Sequence, residues 1–260
     1  MLNMTPAQIQ ELAQFAFLAD KEARSDLIYG YIATENDYTS NFTGALRRIV
    51  NANSTTGLKA SSYVLPPPDE RLSGCDAAIV ITSNGFVKII TFEAKYPRLK
   101  QPYFSWDYAQ TSSGISHFSD QLERQKNFAG THAIFEMFYC EMDFGAQPDF
   151  MQRDVSSCIW HREAVAFDEG RLKPGSVWSG QDLANMLKKG NYPISTIIEK
   201  VCECEEGEAF KAFGTVLNIA REFSLFGNVL HVAVDESPLA EGESNMAEEN
   251  KKVESPKWDN

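Results

Sequence analysis

The segment from Gly74 to Lys95 constrains this chain more than any other. It reads Gly74-Cys75-Asp76, an apolar run from Ala77 to Thr82, the turn Ser83-Asn84-Gly85, and a second apolar run from Phe86 that ends in Glu93-Ala94-Lys95. Asn-Gly between two such runs is the strongest short signal for a β-hairpin, because both residues tolerate the positive φ of a tight turn. Side chains alternate faces along a strand, so Glu93 and Lys95 point the same way. An antiparallel hairpin brings the start of its first strand beside the end of its second, which sets Asp76 near Glu93 and Lys95. Two carboxylates and an amine therefore converge at one end of the hairpin.

Those groups can hold a divalent cation and steady an attacking water. Mg²⁺ takes oxygen ligands, usually one or two carboxylates with substrate phosphate and waters. A bound metal acidifies water and neutralises charge that builds on a phosphate. A lysine beside it can orient that water or stabilise the pentavalent phosphate. Glu93 and Lys95 also read as an ordinary ion pair at a strand end, worth about 0–1 kcal/mol at a surface. The apolar run before Glu93 argues against that, since charges rarely sit in a central strand without a partner or a metal.

Asp76, a gap of 16 residues and Glu93-Ala94-Lys95 together resemble the PD-(D/E)xK superfamily of restriction-endonuclease-like nucleases. The family's proline before the aspartate is absent, because Cys75 stands there. Downstream, Ser116 to Gln125 reads as a helix on which Gln121 and Gln125, four apart, share a face. The resemblance implies a glutamine near the active site on this helix. Upstream, Thr34 to Ser40 opens a helical run containing Phe42, Leu46, Arg47, Arg48 and Ile49. The resemblance implies a glutamate on this first core helix that joins the metal site; Glu35 is the candidate and Asp37 the alternative. An acid at a helix start is also favourable on electrostatic grounds alone.

The resemblance covers roughly residues 30 to 165. It implies an α/β fold with an α-β-β-β-α-β core, a mixed central sheet flanked by helices, and extra C-terminal helices. It further implies phosphodiester hydrolysis dependent on Mg²⁺ or Mn²⁺ and a 5′-phosphate product. Asp76, Glu93 and the Ala94 carbonyl would bind the metal, with Glu35 supporting it directly or through water. Lys95 would orient the attacking water, and Gln121 would position Lys95 or a phosphate. DNA is the expected polymer, and restriction or defence against foreign DNA the expected setting. The competing reading keeps the same fold as a catalytically inactive interaction subunit of a larger assembly. A nucleotide hydrolase on another scaffold lacks support, because the chain has neither a phosphate-binding Gly-x-x-x-x-Gly-Lys-Ser/Thr loop nor a Gly-x-Ser-x-Gly elbow.

Charge opposes a nucleic-acid partner at first sight. The formal net charge is −12, whereas nucleic-acid binders are usually basic. The excess is uneven: residues 1–130 hold 12 Lys+Arg and 13 Asp+Glu, and residues 131–260 hold 12 and 23. Near the hairpin end sits a basic group of Lys95, Arg98 and Lys100, with Arg47 and Arg48 on the preceding helix. Arg47, Arg48, Arg98, Lys100 and Gln125 are the candidate nucleic-acid contacts. Tyr96, Tyr103, Phe104, Trp106 and Tyr108 interleave with them and either stack on bases or pack a long connection against the core.

The rest of the chain reads as one domain over residues 1–236, with a core at about 30–167 and a helical and strand decoration at 170–236. Helices are expected over residues 5–30, 35–52 and 114–129. A strand or loop at 60–65 meets the rigid break Pro66-Pro67-Pro68. Residues 96–113 form a loop suited to a lid. Strands are expected at 132–140, from Ser157 through Phe167, and at 228–234. Three further helices are expected: one beginning near Ser179, one from Pro193 to Cys204, and one from Ala209 to Phe223. Residues 237–260, rich in Glu, Ser, Asn and Lys, read as an acidic disordered tail. No apolar run approaches the 18 residues of a membrane span, and no secretory signal is visible at Met1 to Pro6. Five cysteines, odd in number and without zinc-cluster spacing, fit reduced thiols in the cytoplasm. A protein partner or a homodimer is compatible with all of this.

Overall fold

Both N-terminal helices begin at threonine caps. Thr5 accepts from Gln8 N–H while the Gln8 side chain accepts from Thr5 N–H, and α1 runs Pro6–Ile28. Thr34 and Asp37 form the same reciprocal pair, and α2 runs Glu35–Asn53. The computed structural model describes residues 2–65, 74–100, 106–222 and 227–234. The proline break at 66–68, Tyr103, Phe104 and the tail at 237–260 lie outside the described residues.

The expected hairpin forms. β2 (Ala77–Ser83) and β3 (Phe86–Lys95) pair antiparallel from Ala77 opposite Phe92 to Ser83 opposite Phe86. Asn84 and Gly85 turn the chain at φ 50° and 75°, as a two-residue turn between twisted strands demands. The remaining elements are β1 (Leu58–Leu65), α3 (His117–Gln125), β4 (Ala133–Phe138), β5 (Ser157–Trp160), α4 (His161–Glu169), α5 (Gly180–Leu187), α6 (Ile194–Cys202), β6 (Phe210–Lys211), α7 (Val216–Glu222) and β7 (Gly227–Val234).

The strands make one mixed seven-stranded sheet in the order β1-β7-β2-β3-β4-β5, with β6 on the start of β3. β4 runs parallel to β3 and β7 parallel to β2; the other pairs are antiparallel. On one face, Ile79, Ile81, Ile90, Phe92, Phe135 and Met137 join residues of α1, α2 and α6 in a core. On the other, Val80, Val87 and Ile89 pack with Ile219 of α7, and Phe138 and Ile159 pack with residues of α3, α4 and α5. The protein is thus α/β, a mixed sheet flanked by helices.

Three expectations change. The strand expected from Ser157 through Phe167 ends at Trp160, and α4 begins at His161. Its buried residues, His161 and Ala164, are three apart with polar Arg162 and Glu163 between them, which is helical rather than strand spacing. The helix expected over 209–223 is split into β6 and α7 around Gly214 at φ 60°, and Thr215 and Asn218 restart the chain. Finally, β7 is no decoration. Val229, Leu230, Val232 and Val234 are buried, and the strand pairs with β1 on one side and β2 on the other.

A buried polar clasp ties the helical layer to the loop before β5. Asp20, fully buried on α1, accepts from Tyr38 Oη at 2.5 Å, from Ser156 N–H at 2.6 Å and from Ser156 Oγ at 2.8 Å. Arg24, one turn on, is fully buried and donates to main-chain carbonyls of Cys140, Met142 and Val155. A charge placed this deep is tolerated because its donors are met.

Candidate active site

The end of the hairpin that carries the carboxylates is assembled by continuing its own pairing. Asp76, one residue before β2, donates its N–H to Phe92 O at 2.8 Å and so stands beside Glu93. Asp76 Oδ2 accepts the N–H of Ala94 at 2.8 Å. Glu93 and Lys95 share a face, and Lys95 Nζ lies 2.5 Å from Glu93 Oε1. That oxygen also accepts from Gln121 Nε2 on α3. Glu93, Lys95 and Gln121 are all buried.

Glu35 reaches the same place from the opposite layer. It is the first residue of α2, and its Oε1 accepts the N–H of Tyr96, next to Lys95, at 2.9 Å. Asp37, the alternative, is exposed and occupied in capping α2. The first-turn acid that faces the hairpin is therefore Glu35.

Burial sets the electrostatics. It pushes the Asp76 carboxyl up to about 6, against the pull of Lys95 and the Ala94 N–H, with Glu35 adding to the rise. Burial and then the Asp76 charge push Glu93 well above the ordinary carboxylate range. Lys95 is raised: burial works against its charge, but Glu93, Glu35 and Asp76 together outweigh it. Three acids thus face one ammonium, Glu93 and Lys95 buried and Glu35 and Asp76 half-buried. A cation between the two adjacent carboxyls would favour the ionised form of both.

That donor set suits Mg²⁺ or Mn²⁺. Among the described residues no group of three or more His, Cys, Asp or Glu side chains is arranged to hold a metal ion. Mg²⁺ nonetheless needs only one or two carboxylates, with substrate oxygens and waters completing its octahedron. Asp76 and Glu93 supply that pair, so the residues present fit the ion.

Behind the pair lies a layer that the sequence reading passed over. Glu136 on β4 is the register partner of Glu93 and fully buried. Gln125 Nε2 donates to its Oε2 at 3.4 Å and to Gly74 O at 2.6 Å, and His161 Nδ1 lies 3.6 Å from its Oε1. The signal was present, since Glu136 interrupts an apolar run just as Glu93 does. Gly74 itself is at φ 68°, and a β-carbon there would stand 2.9 Å from the Gln121 carbonyl. Its lack of a side chain lets α3 close onto the hairpin.

The candidate polymer contacts fare differently. Gln125 is fully buried and holds Gly74, so it lies behind the site and touches no surface. Arg47 and Arg48 lie twelve and thirteen residues along α2 from Glu35, roughly 18–20 Å away by helical rise. Arg48 pairs there with Glu22 at 3.1 Å. Arg98 is exposed, at φ 54°, over the ring of Tyr96. Lys100 is exposed, its N–H held by Glu141 and its ammonium 3.8 Å from Asp143. Of the aromatics, Trp106 is buried among Phe118, Phe138 and Trp178 and belongs to the core. Tyr108 is exposed and stacks on His117 at 4.7 Å. His117 stands one turn before Gln121 on α3, and burial and then the charge of Lys95 push its imidazole pKa down. A cavity of about 380 Å³ between α3 and α4 shares no residue with the cluster.

Compared with protein-family models, with curated proteins and with solved structures, the chain matches none.

Proposed function

We propose that this chain is a metal-dependent nuclease of the PD-(D/E)xK kind. The carrying observation is the convergence of Asp76, Glu93, Lys95 and Gln121 at one end of one hairpin, with Glu35 arriving from α2. The element order α2-β1-β2-β3-α3-β4, with β4 parallel to β3, supports a restriction-endonuclease-like core. A departure is that β7 runs between β1 and β2.

In this reading Asp76 and Glu93 hold Mg²⁺ or Mn²⁺, helped by the Ala94 carbonyl, and Glu35 supports the site from α2. The ion, when bound, acidifies water and neutralises charge on the phosphate. Lys95 orients the attacking water and lends positive charge where negative charge develops. Gln121 fixes Glu93 through a hydrogen bond, and its own Oε1 has no partner among the described residues. Arg98 and the Tyr108–His117 pair offer the polymer a charge and a stacking surface near the site. DNA is the proposed substrate, and restriction or defence the proposed setting.

Cleavage of supercoiled plasmid, linear duplex, and single-stranded DNA and RNA tests this, with Mg²⁺ or Mn²⁺ present and EDTA and Glu93→Ala as controls. Metal-dependent cutting that Glu93→Ala abolishes supports the nuclease. A protein that neither cuts nor binds metal is instead an inactive interaction subunit on the same fold.

A further inference from the structure

Helix α1 ends in a tight, well-bonded cap. Gly30 stands at φ 79°, its N–H donates to Leu27 O at 3.1 Å, and the N–H of Tyr31 reaches back to Asp26 O at 2.8 Å. This is the glycine-centred stop in which orphan carbonyls of the last turn find donors. Tyr29 and Tyr31 flank the glycine, and Ile32, 4% exposed, pins the chain behind them. The backbone that carries both rings is therefore held on either side.

The rings themselves lie in solvent. Tyr29 is 72% and Tyr31 79% exposed, more than any other aromatic side chain among the described residues. Such a cap commonly sets the residue after the glycine against an apolar residue of the last turn. Here the positions it would meet are Ser25 and Asp26, and Tyr31 stays in solvent, so the cap does not account for its ring. The ring centroids are 6.3 Å apart and the planes inclined at 38°, so the rings are tilted rather than stacked and leave faces open. Single exposed aromatics are ordinary, but a fixed pair is a surface.

Its place in the chain ties this surface to the hairpin end. Tyr31 precedes Glu35 by four residues, which limits the separation of the two α-carbons to about 14 Å. That is about four base steps at about 3.4 Å each. Glu35 accepts the Tyr96 N–H at 2.9 Å, and the exposed Arg98 guanidinium lies 5.7 Å over the Tyr96 ring. A counterpart stands in the opposite layer, where His117, four residues before Gln121, stacks on exposed Tyr108.

We infer that Tyr29 and Tyr31 stack unpaired bases of a nucleic-acid strand that leads to Asp76 and Glu93. This rests on the nuclease reading and names its substrate as a single strand or a frayed end. Every base has a π-face, so two open phenol rings take it without regard to sequence. In a duplex those faces are covered by neighbouring bases. A chain of net charge −12 draws little affinity from phosphates, and stacking supplies binding that charge does not.

Fluorescence anisotropy of a labelled oligothymidine in EDTA reads this contact apart from cleavage. Wild type should hold the strand about tenfold or more tighter than the same strand annealed to its complement. Tyr29→Ala and Tyr31→Ala should each weaken single-strand binding by about 5- to 100-fold, with duplex binding and melting temperature unchanged. Tyr29→Phe and Tyr31→Phe keep the rings and should bind like wild type. The salt dependence of affinity should be the same in all five proteins, because no phosphate contact is lost. Alanine variants that bind the strand like wild type overturn the inference. So does a wild-type dimer on gel filtration that the alanine variants dissociate, since the rings then face a second copy of the chain. In both cases Mn²⁺-dependent cutting, if it persists, leaves the nuclease reading intact. Strand binding that is lost with the tyrosines, in a protein that cuts nothing, sinks the nuclease reading and leaves the stacking surface standing.

Discussion

Asp76 Oδ2 accepts the N–H of Ala94 at 2.8 Å, so the acid proposed to hold the cation also closes the open end of the hairpin. Two substitutions separate those tasks. Asn keeps an oxygen acceptor and loses the charge; Ala loses both. Both should lower cleavage by about 100-fold or more, given what one removed electrostatic group costs. Only Asp76→Ala should lose stability, by about 1–3 kcal/mol, because it orphans the Ala94 N–H. Asp76→Asn should unfold at the same denaturant concentration as wild type or higher at pH 8 in EDTA, since burial disfavours the wild-type charge there. Urea unfolding of the three proteins decides it.

A cation that binds the folded chain alone stabilises it. At 100 times its dissociation constant the gain is about 2.7 kcal/mol, which in a domain of this size raises the melting temperature by about 5–10 °C. Mn²⁺ should produce that shift in wild type, and EDTA should reverse it. Asp76→Asn and Glu93→Gln should show none. Equal shifts in all three proteins would move the metal away from this pair.

Gly74→Ala tests how tightly α3 must approach. The new β-carbon meets the Gln121 carbonyl at 2.9 Å, and φ at that position is 68°. The backbone strain and the displaced helix should cost about 2 kcal/mol or more. Gln121 moves with α3, so cleavage should fall about tenfold or more even where the variant is folded. Circular dichroism with a kinetic assay separates the two effects.

His132 makes stability depend on pH. Burial pushes its imidazole down to about 4 from the ordinary 6.5. Above pH 6.5 the ring is neutral in both states and contributes no slope. Between 6.5 and 4 the unfolded chain binds a proton that the folded chain refuses, so stability falls as pH falls. Below about 4 both states carry the proton and the slope ends. The loss across the window is about 3 kcal/mol. His132→Phe, which keeps a ring against Phe128, should lack this component. The difference between the two unfolding curves from pH 7.5 to 4 is the measurement.

The hairpin was legible because its signals are local. Asn84-Gly85 fixes the turn, and the turn fixes which residues of β2 and β3 stand opposite. Asp76, Glu93 and Lys95 follow from that register alone. Glu35 stands as one of two acids in the sequence, although the three-residue spacing from Thr34 to Asp37 is that of a capping box and marks Asp37 as the acid the cap consumes. Arg47 and Arg48 misled because closeness was inferred from membership of a helix, and a helix carries its end far from its beginning. Gln125 shares a face with Gln121, but one further turn takes it against Gly74 and Glu136 and out of reach of solvent. The strand read from Ser157 to Phe167 mixed two periods, and the break at Trp160 follows neither.

The place of β7 sets an order of events during synthesis. Thr82 at the turn end of β2 pairs with His231 across 149 positions of sequence, through Oγ1 and Nε2 at 2.8 Å. Until residues 227–234 have left the ribosome, β2 has an open edge and β1 has no strand to join. Pairings of such span form late and slowly. The hairpin that gathers the carboxylates is written early in the chain and receives its inner neighbour late. On the nuclease reading, a nascent chain that still lacks residues 227–234 is harmless to nearby nucleic acid.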